Sequence, residues 1–140
     1  MGDADDSYNF LELSLFIERL QAGYDMVMGN RFAGGITKGA MPWLHRYVGN
    51  PFLSSLGRFL FKNNIGDFHC GLRAFTKKCY NIINPQCNGM EFASELVALA
   101  SIHQMRICEI PVTLYPDGRK RRPHLRSWRD GFRHLSLIHI

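Results

Sequence analysis

The chain has 140 residues, of which 46% are hydrophobic and 21% charged, with a net charge of +5 and a pI of about 9.2. This is an ordinary balance for one folded domain with a core. No run of ~18 apolar residues occurs, which excludes a membrane-spanning helix within the chain. The cationic surplus favours anionic partners: phosphates, anionic lipid surfaces or nucleic acid.

The charge is unevenly spread. Seven of the seventeen Lys and Arg residues lie between Arg119 and Arg133, whereas the start is acidic, with Asp3, Asp5 and Asp6. Those acids stand where a signal peptide would be cationic, so no leader is expected here. Met1 reads as an internal methionine, because an acidic cluster of this kind ends a buried strand and none precedes it. Cys70, Cys79, Cys87 and Cys108 show no CxxC spacing. They predict free thiols in a reducing compartment, not a zinc site. Leu135 to Ile140 reads as the in-frame translation of a common transposase sequencing adaptor, so residues 135–140 are set aside as foreign.

In chain order, Asn9 with Glu12 three residues on predicts a helix start, followed by Leu13, Phe16, Ile17 and Leu20 at helical spacing. Gly23 stops that helix, and Tyr24 to Met28 predicts a short strand. Gly34, Gly35 and Gly39 predict a mobile loop. Asn50-Pro51 opens a second helix with a stripe of Phe52, Leu53, Leu56, Phe59 and Leu60. The stripe reads first as a core face and alternatively as an in-plane membrane face flanked by Arg46, Arg58 and Lys62. Leu72 to Thr76 predicts a strand, Phe92 to Ile102 a helix, and Ile107 to Leu114 a strand with Pro111 at an edge or bulge. The tail is a basic loop, then a short helix from Ser127. The alternation predicts an α/β fold.

Five groups of residues carry chemistry. Asp3-Ala4-Asp5 sets two carboxylates one residue apart, a pattern that converges on a hard cation such as Mg²⁺ or Mn²⁺, or simply favours a helix N-terminus. Arg31 follows the Gly29-Asn30 turn and offers a fork for phosphate oxygens, or is a surface arginine. Asp67-Phe68-His69-Cys70-Gly71-Leu72-Arg73 brings a glycine between two charges, as a ligand loop or as an internal ion pair of Asp67 with Arg73. His69 and Cys70, adjacent and without further ligands, read as packing. Glu91 and Glu95 share a helix face, for sugar hydroxyls or arginines, or as a solvated surface. Arg119, Lys120, Arg121, Arg122 and Arg126 form a loop suited to a diphosphate or a phospholipid head group. A solvated basic loop is its bland reading. No aromatic residue interleaves from Arg119 to Ser127 for base stacking, which argues against nucleic acid.

Taken in this order, the five groups resemble the later half of a family 2 glycosyltransferase over residues 1–134. Asp3-Ala4-Asp5 resembles the family's D-x-D, and Asp25 to Arg31 its D-x-V-x-G-x-R strand. Asp67 to Phe75 resembles D-x-x-x-G-x-R-x-F, Glu91 to Glu95 resembles E-F-x-x-E, and Ile107 to Val112 the I-x-E-V-P strand. The resemblance is to the polyprenyl-phosphate (dolichol-phosphate type) sugar transferases. It implies a partial GT-A fold, a mixed sheet flanked by helices that lacks the N-terminal nucleotide-binding half. It also implies a divalent metal on Asp3 and Asp5, with Arg119 as the third catalytic group. Substrate-binding roles fall to Arg31, Asp67, Arg73, Glu91, Glu95, Lys120 and Arg126.

The expected reaction moves a hexosyl group from a nucleotide-diphosphate sugar to a polyprenyl phosphate, at the cytoplasmic face of an anionic membrane. The basic loop departs from the family pattern, which keeps a saccharide or protein hydroxyl acceptor open. Asp67, Glu91 or Glu95 would then serve as base. A non-catalytic anion-binding module is the rival from another class. The stretch alone is expected to be inactive.

Overall fold

The computed structural model describes residues 1–3, 5–89 and 91–118. The cations Arg119, Lys120 and Arg126, the expected helix from Ser127 and residues 135–140 lie outside the described residues.

Asn9 does cap the first helix. Its Oδ1 accepts from the Leu11 N–H at 3.1 Å, and a 3-10 turn, Phe10–Glu12, leads into α1, Leu13–Gln21. Gly23 ends it at φ +93°, a conformation open to glycine without steric penalty. Strand β1, Met26–Asn30, begins two residues later than expected. Asp25 instead forms a corner, in which its N–H donates to the Arg106 carbonyl at 2.8 Å and its Oδ2 accepts from the Arg106 N–H at 2.9 Å. A single turn, α2, Arg31–Gly34, is capped by Asn30, whose Oδ1 accepts from Ala33 N–H at 2.9 Å. The glycine loop after it is tied down. Leu114 N–H donates to Gly35 O at 2.9 Å and Thr37 N–H to Leu114 O at 3.0 Å.

The chain continues through α3, Asn50–Phe61, β2, Arg73–Phe75, α4, Lys77–Ile83, α5, Phe92–Ile102, and β3, Ile107–Pro111. The sheet order is β2-β1-β3. β1 runs antiparallel to β2, with Val27 opposite Ala74, and parallel to β3, with Met28 opposite Glu109. This is the expected α/β class, a mixed sheet between helices. Because side chains alternate along a strand, β1 feeds two cores. Met26 and Met28 pack with Ile65, Phe68, Leu96 and Val97 under α4 and α5. Val27 packs with Phe16 of α1, Leu72, Ile110 and Val112 on the other face.

Two features bear on the site. Met1 and Arg73 exchange backbone hydrogen bonds, Met1 N to Arg73 O at 2.8 Å and Arg73 N–H to Met1 O at 3.0 Å. The backbone entering Asp3 thus runs beside β2, on the edge away from β1. The second feature corrects the core reading of α3. Its buried residues are Ser54 and Gly57, while Phe52 and Phe59 are 63% and 81% exposed. The small residues face inward because Phe68 lies directly under them. A Cβ on Gly57 would stand 2.8 Å from the Phe68 ring, and Ser54 Oγ accepts from the Phe68 N–H at 3.2 Å.

Candidate active site

The acidic segment is folded against the loop between α3 and β2. Asp5 is buried, and its Oδ1 accepts from both the N–H and the hydroxyl of Ser7. The Asp5 carbonyl accepts from Gly118 N–H at 3.0 Å, and the Ser7 carbonyl from Tyr115 N–H at 2.9 Å. Gly118 immediately precedes Arg119, so the chain enters its basic stretch at the acidic motif. Asp3 is exposed and lies against Gly71, where an added Cβ would stand 1.9 Å from Asp3 Oδ2. Tyr8 completes this contact: its buried hydroxyl accepts from the Gly71 N–H at 3.2 Å. Burial pushes the Tyr8 pKa up, so the hydroxyl stays protonated.

Arg31 and Asp67 meet in the interior. Arg31 Nε reaches Asp67 Oδ2 at 2.6 Å, Nη2 reaches Oδ1 at 2.7 Å, and the Arg31 N–H adds a third bond to Oδ2 at 3.0 Å. Burial on its own would lower the guanidinium pKa, but the hydrogen bonds and charge of Asp67 outweigh it and raise it. The internal Asp–Arg pair therefore exists, with Arg31 and not Arg73 as the partner. Glu109 of β3 braces it, since its Oε1 accepts from the N–H groups of Gly66 and Asp67, each at 3.0 Å.

Arg73 is fully buried. It donates from Nη1 to Ala93 O at 2.6 Å and from Nη2 to Cys70 O, tying the loop to the first turn of α5. Burial lowers its pKa, against the opposing charge of Asp3. Glu95 is also buried, and its two carboxylate oxygens accept from Gln86 N–H at 3.0 Å and Cys87 N–H at 2.9 Å. Glu91 stands at the N-terminal end of α5 and is half-buried. His69 Nε2 lies 3.1 Å from Ser94 Oγ in the same first turn. The Cys70 thiol, pushed up to about 11 chiefly by burial, is neutral at physiological pH. All four cysteines are free.

Among the described residues no three His, Cys, Asp or Glu side chains gather as a metal cage. Asp3 and Asp5 nevertheless fit a small hard cation of the Mg²⁺ type. Such an ion takes one or two carboxylates and completes its shell with water and substrate phosphates. Asp5 Oδ1 accepts from Ser7, and Asp3 is exposed to solvent. The sequence motifs thus assemble around one loop, 66–73, but they do so as layers. Asp3 is exposed, Glu91 is half-buried, and Arg31, Asp67, Arg73 and Glu95 hold the frame beneath. Tyr8 and Glu109 were not singled out from the sequence. Glu109 stood inside the I-x-E-V-P resemblance, and Tyr8 gave no signal of its own.

No family model matches the chain. It is 38% identical over 139 residues to the low-salt glycan biosynthesis hexosyltransferase Agl6 of Haloferax volcanii, a match to 99% of this chain and 33% of that protein. It is 33% identical over 112 residues to dolichyl-phosphate hexose transferase of the same organism, covering 79% of the chain and 46% of the relative. It is 30% identical over 114 residues to polyprenol monophosphomannose synthase of Mycolicibacterium smegmatis, covering 79% and 43%. The homologues of this chain are therefore sugar transferases, and the chain spans between a third and just under half the length of these curated relatives.

Proposed function

We propose that the full-length protein transfers a hexosyl group from a nucleotide-diphosphate sugar to a polyprenyl phosphate, as a family 2 glycosyltransferase. Two of the relatives carry dolichyl phosphate or polyprenol in their names. The observation that supports the lipid-phosphate acceptor is the state of the candidate bases. A hydroxyl acceptor needs a carboxylate to take its proton. Two of the three candidates, Asp67, Glu91 and Glu95, are committed: Asp67 on both oxygens to Arg31, and Glu95 on both to the 86–87 backbone. A phosphate acceptor is already ionised near neutral pH and needs no such base.

In this reading Asp3 and Asp5 would hold a divalent metal, which would supply positive charge for the diphosphate leaving group. Arg119, Lys120 and Arg126 follow Gly118 and grip phosphate oxygens, and Glu91 accepts from sugar hydroxyls. Arg31, Asp67, Arg73 and Glu95 keep the loop that carries Gly71 in place. The acceptor phosphate displaces the diphosphate in line at the anomeric carbon. Labelled donor sugars, dolichyl phosphate and an oligosaccharide, offered to the full-length protein with Mn²⁺, test this. EDTA-sensitive label in the lipid phosphate is expected. Label only in the saccharide would overturn the acceptor.

The membrane side of the proposal rests on a surface. Residues 43–61 form a continuous helical run with Trp43, Tyr47, Phe52 and Phe59 exposed. No carboxylate occurs between Asp25 and Asp67, whereas Lys38, Arg46, Arg58 and Lys62 do. An apolar face ringed by cations and free of acids suits an anionic bilayer surface. Free cysteines suit its reducing, cytoplasmic side. No helix among the described residues is long and apolar enough to cross a membrane, so this face would lie in plane. Replacing Phe52 and Phe59 by Ser is expected to release the full-length protein from anionic liposomes in flotation, with the unfolding midpoint unchanged. Loss of the cooperative transition would instead mean that these rings are structural.

A further inference from the structure

Among the described residues, Gly71 is the one glycine whose missing side chain is filled by a carboxylate of the acidic motif. An added Cβ would stand 1.9 Å from Asp3 Oδ2 and 2.5 Å from its Cγ. The backbone does not require glycine there, because the positive-φ glycines are Gly23, Gly35 and Gly39. What residue 71 supplies is space. Its position is fixed from two sides. Its N–H donates to the Tyr8 hydroxyl at 3.2 Å, and Leu72 O beside it accepts from Gly29 N–H at 2.9 Å on β1. Tyr8 is anchored in the core with Phe16, Val27 and Cys70.

We infer that Gly71 and Tyr8 form a clasp that positions the Asp3 carboxylate, Gly71 by giving it room and Tyr8 by holding Gly71 still. Both are positioning residues and neither touches substrate. The inference rests on the reading of Asp3 as a metal ligand, and it predicts an unusual signature. With alanine at 71, the part that yields is the far end of the Asp3 side chain, not the backbone. The carboxylate must retreat by about 1.5 Å to reach an ordinary contact distance. Folding is little affected, while a ligand set for Mg²⁺, which tolerates little distortion, is lost.

The test uses the full-length protein with nucleoside diphosphate, following Mn²⁺ binding by electron paramagnetic resonance and unfolding by calorimetry. Gly71→Ala is expected to weaken Mn²⁺ at least about tenfold with the melting transition nearly unmoved, a change of roughly 1.4 kcal/mol or more in metal binding. Tyr8→Phe, which keeps the ring and removes the acceptor, is expected to weaken it by a smaller factor. In an Asp3→Ala background Gly71→Ala is expected to add nothing. A crystal structure of Gly71→Ala separates the two layers of the argument. A displaced Asp3 with unchanged Mn²⁺ affinity would remove Asp3 from the metal and leave the clasp standing. An unmoved Asp3, with the 70–72 backbone shifted or the melting transition lost, would overturn the clasp.

Discussion

Asp67→Ala is expected to cost about 3–5 kcal/mol of folding stability, the range for breaking one side of a buried ion pair. The carboxylate accepts three hydrogen bonds from Arg31, two from the guanidinium and one from the backbone. Without it the guanidinium is left buried and charged with no counter-ion at that position. That sum is comparable with the whole net stability of many domains, ~5–15 kcal/mol. Urea unfolding of the full-length protein should therefore show a collapsed midpoint or no cooperative transition. The double variant Arg31→Met with Asp67→Leu is expected to recover much of the loss, since it removes both charges and keeps similar volume. If Arg31 gripped substrate directly, the double variant would be stable but unable to bind donor. If it only frames the site, donor binding returns with stability. An unchanged midpoint in Asp67→Ala would show that the pair is not buried in solution.

This pair shows where the sequence stops being legible. Arg31 and Asp67 are both visible as charges beside glycines, but they lie 36 residues apart. Nothing local says that Asp67 turns to Arg31 and not to Arg73, six positions on. The choice is made by the antiparallel pairing of β1 and β2, which sets Met28 opposite Arg73 and brings the end of β1 to the loop. Arg73 is then drawn under α5, to the Ala93 carbonyl. The helix Phe92–Ile102 was legible to the residue because its apolar run is dense and unbroken. The face of α3 was not. An amphipathic stripe reports that one side is apolar, not that this side is inside. Two small residues, Ser54 and Gly57, permitted a closer approach to Phe68 than the large ones could. Thr76 capping α4 through Cys79 N–H at 3.0 Å was within reach of sequence rules but fell between two stronger features.

Asp5→Asn is expected to lower sugar transfer by the full-length protein by about 10²–10³-fold, equivalent to about 3–4 kcal/mol of lost transition-state stabilisation. Asparagine is the informative change. Asp5 Oδ1 accepts from the Ser7 N–H and hydroxyl, and the amide oxygen can keep those bonds, so the turn survives while the charge goes. Alanine removes the acceptor as well, and Ser7 is then left with donors in a buried place. Asp5→Ala is expected to abolish transfer, with a loss of stability that Asp5→Asn lacks. Asp3 behaves differently because it is exposed. Asp3→Ala is expected to weaken donor binding strongly and to leave the unfolding midpoint in place. The pairing of these outcomes identifies the chemistry. A metal that meets charge on the departing diphosphate acts mainly in the transition state, so Asp5→Asn should lower kcat more than it raises the donor KM. Wild-type activity should also vanish with EDTA and return with Mn²⁺ or Mg²⁺. Undiminished turnover in Asp5→Asn, together with activity that survives EDTA, would take the metal away from this motif. The work of steadying the leaving group would then pass to the cations that begin at Arg119, one residue beyond the Gly118 N–H that Asp5 holds.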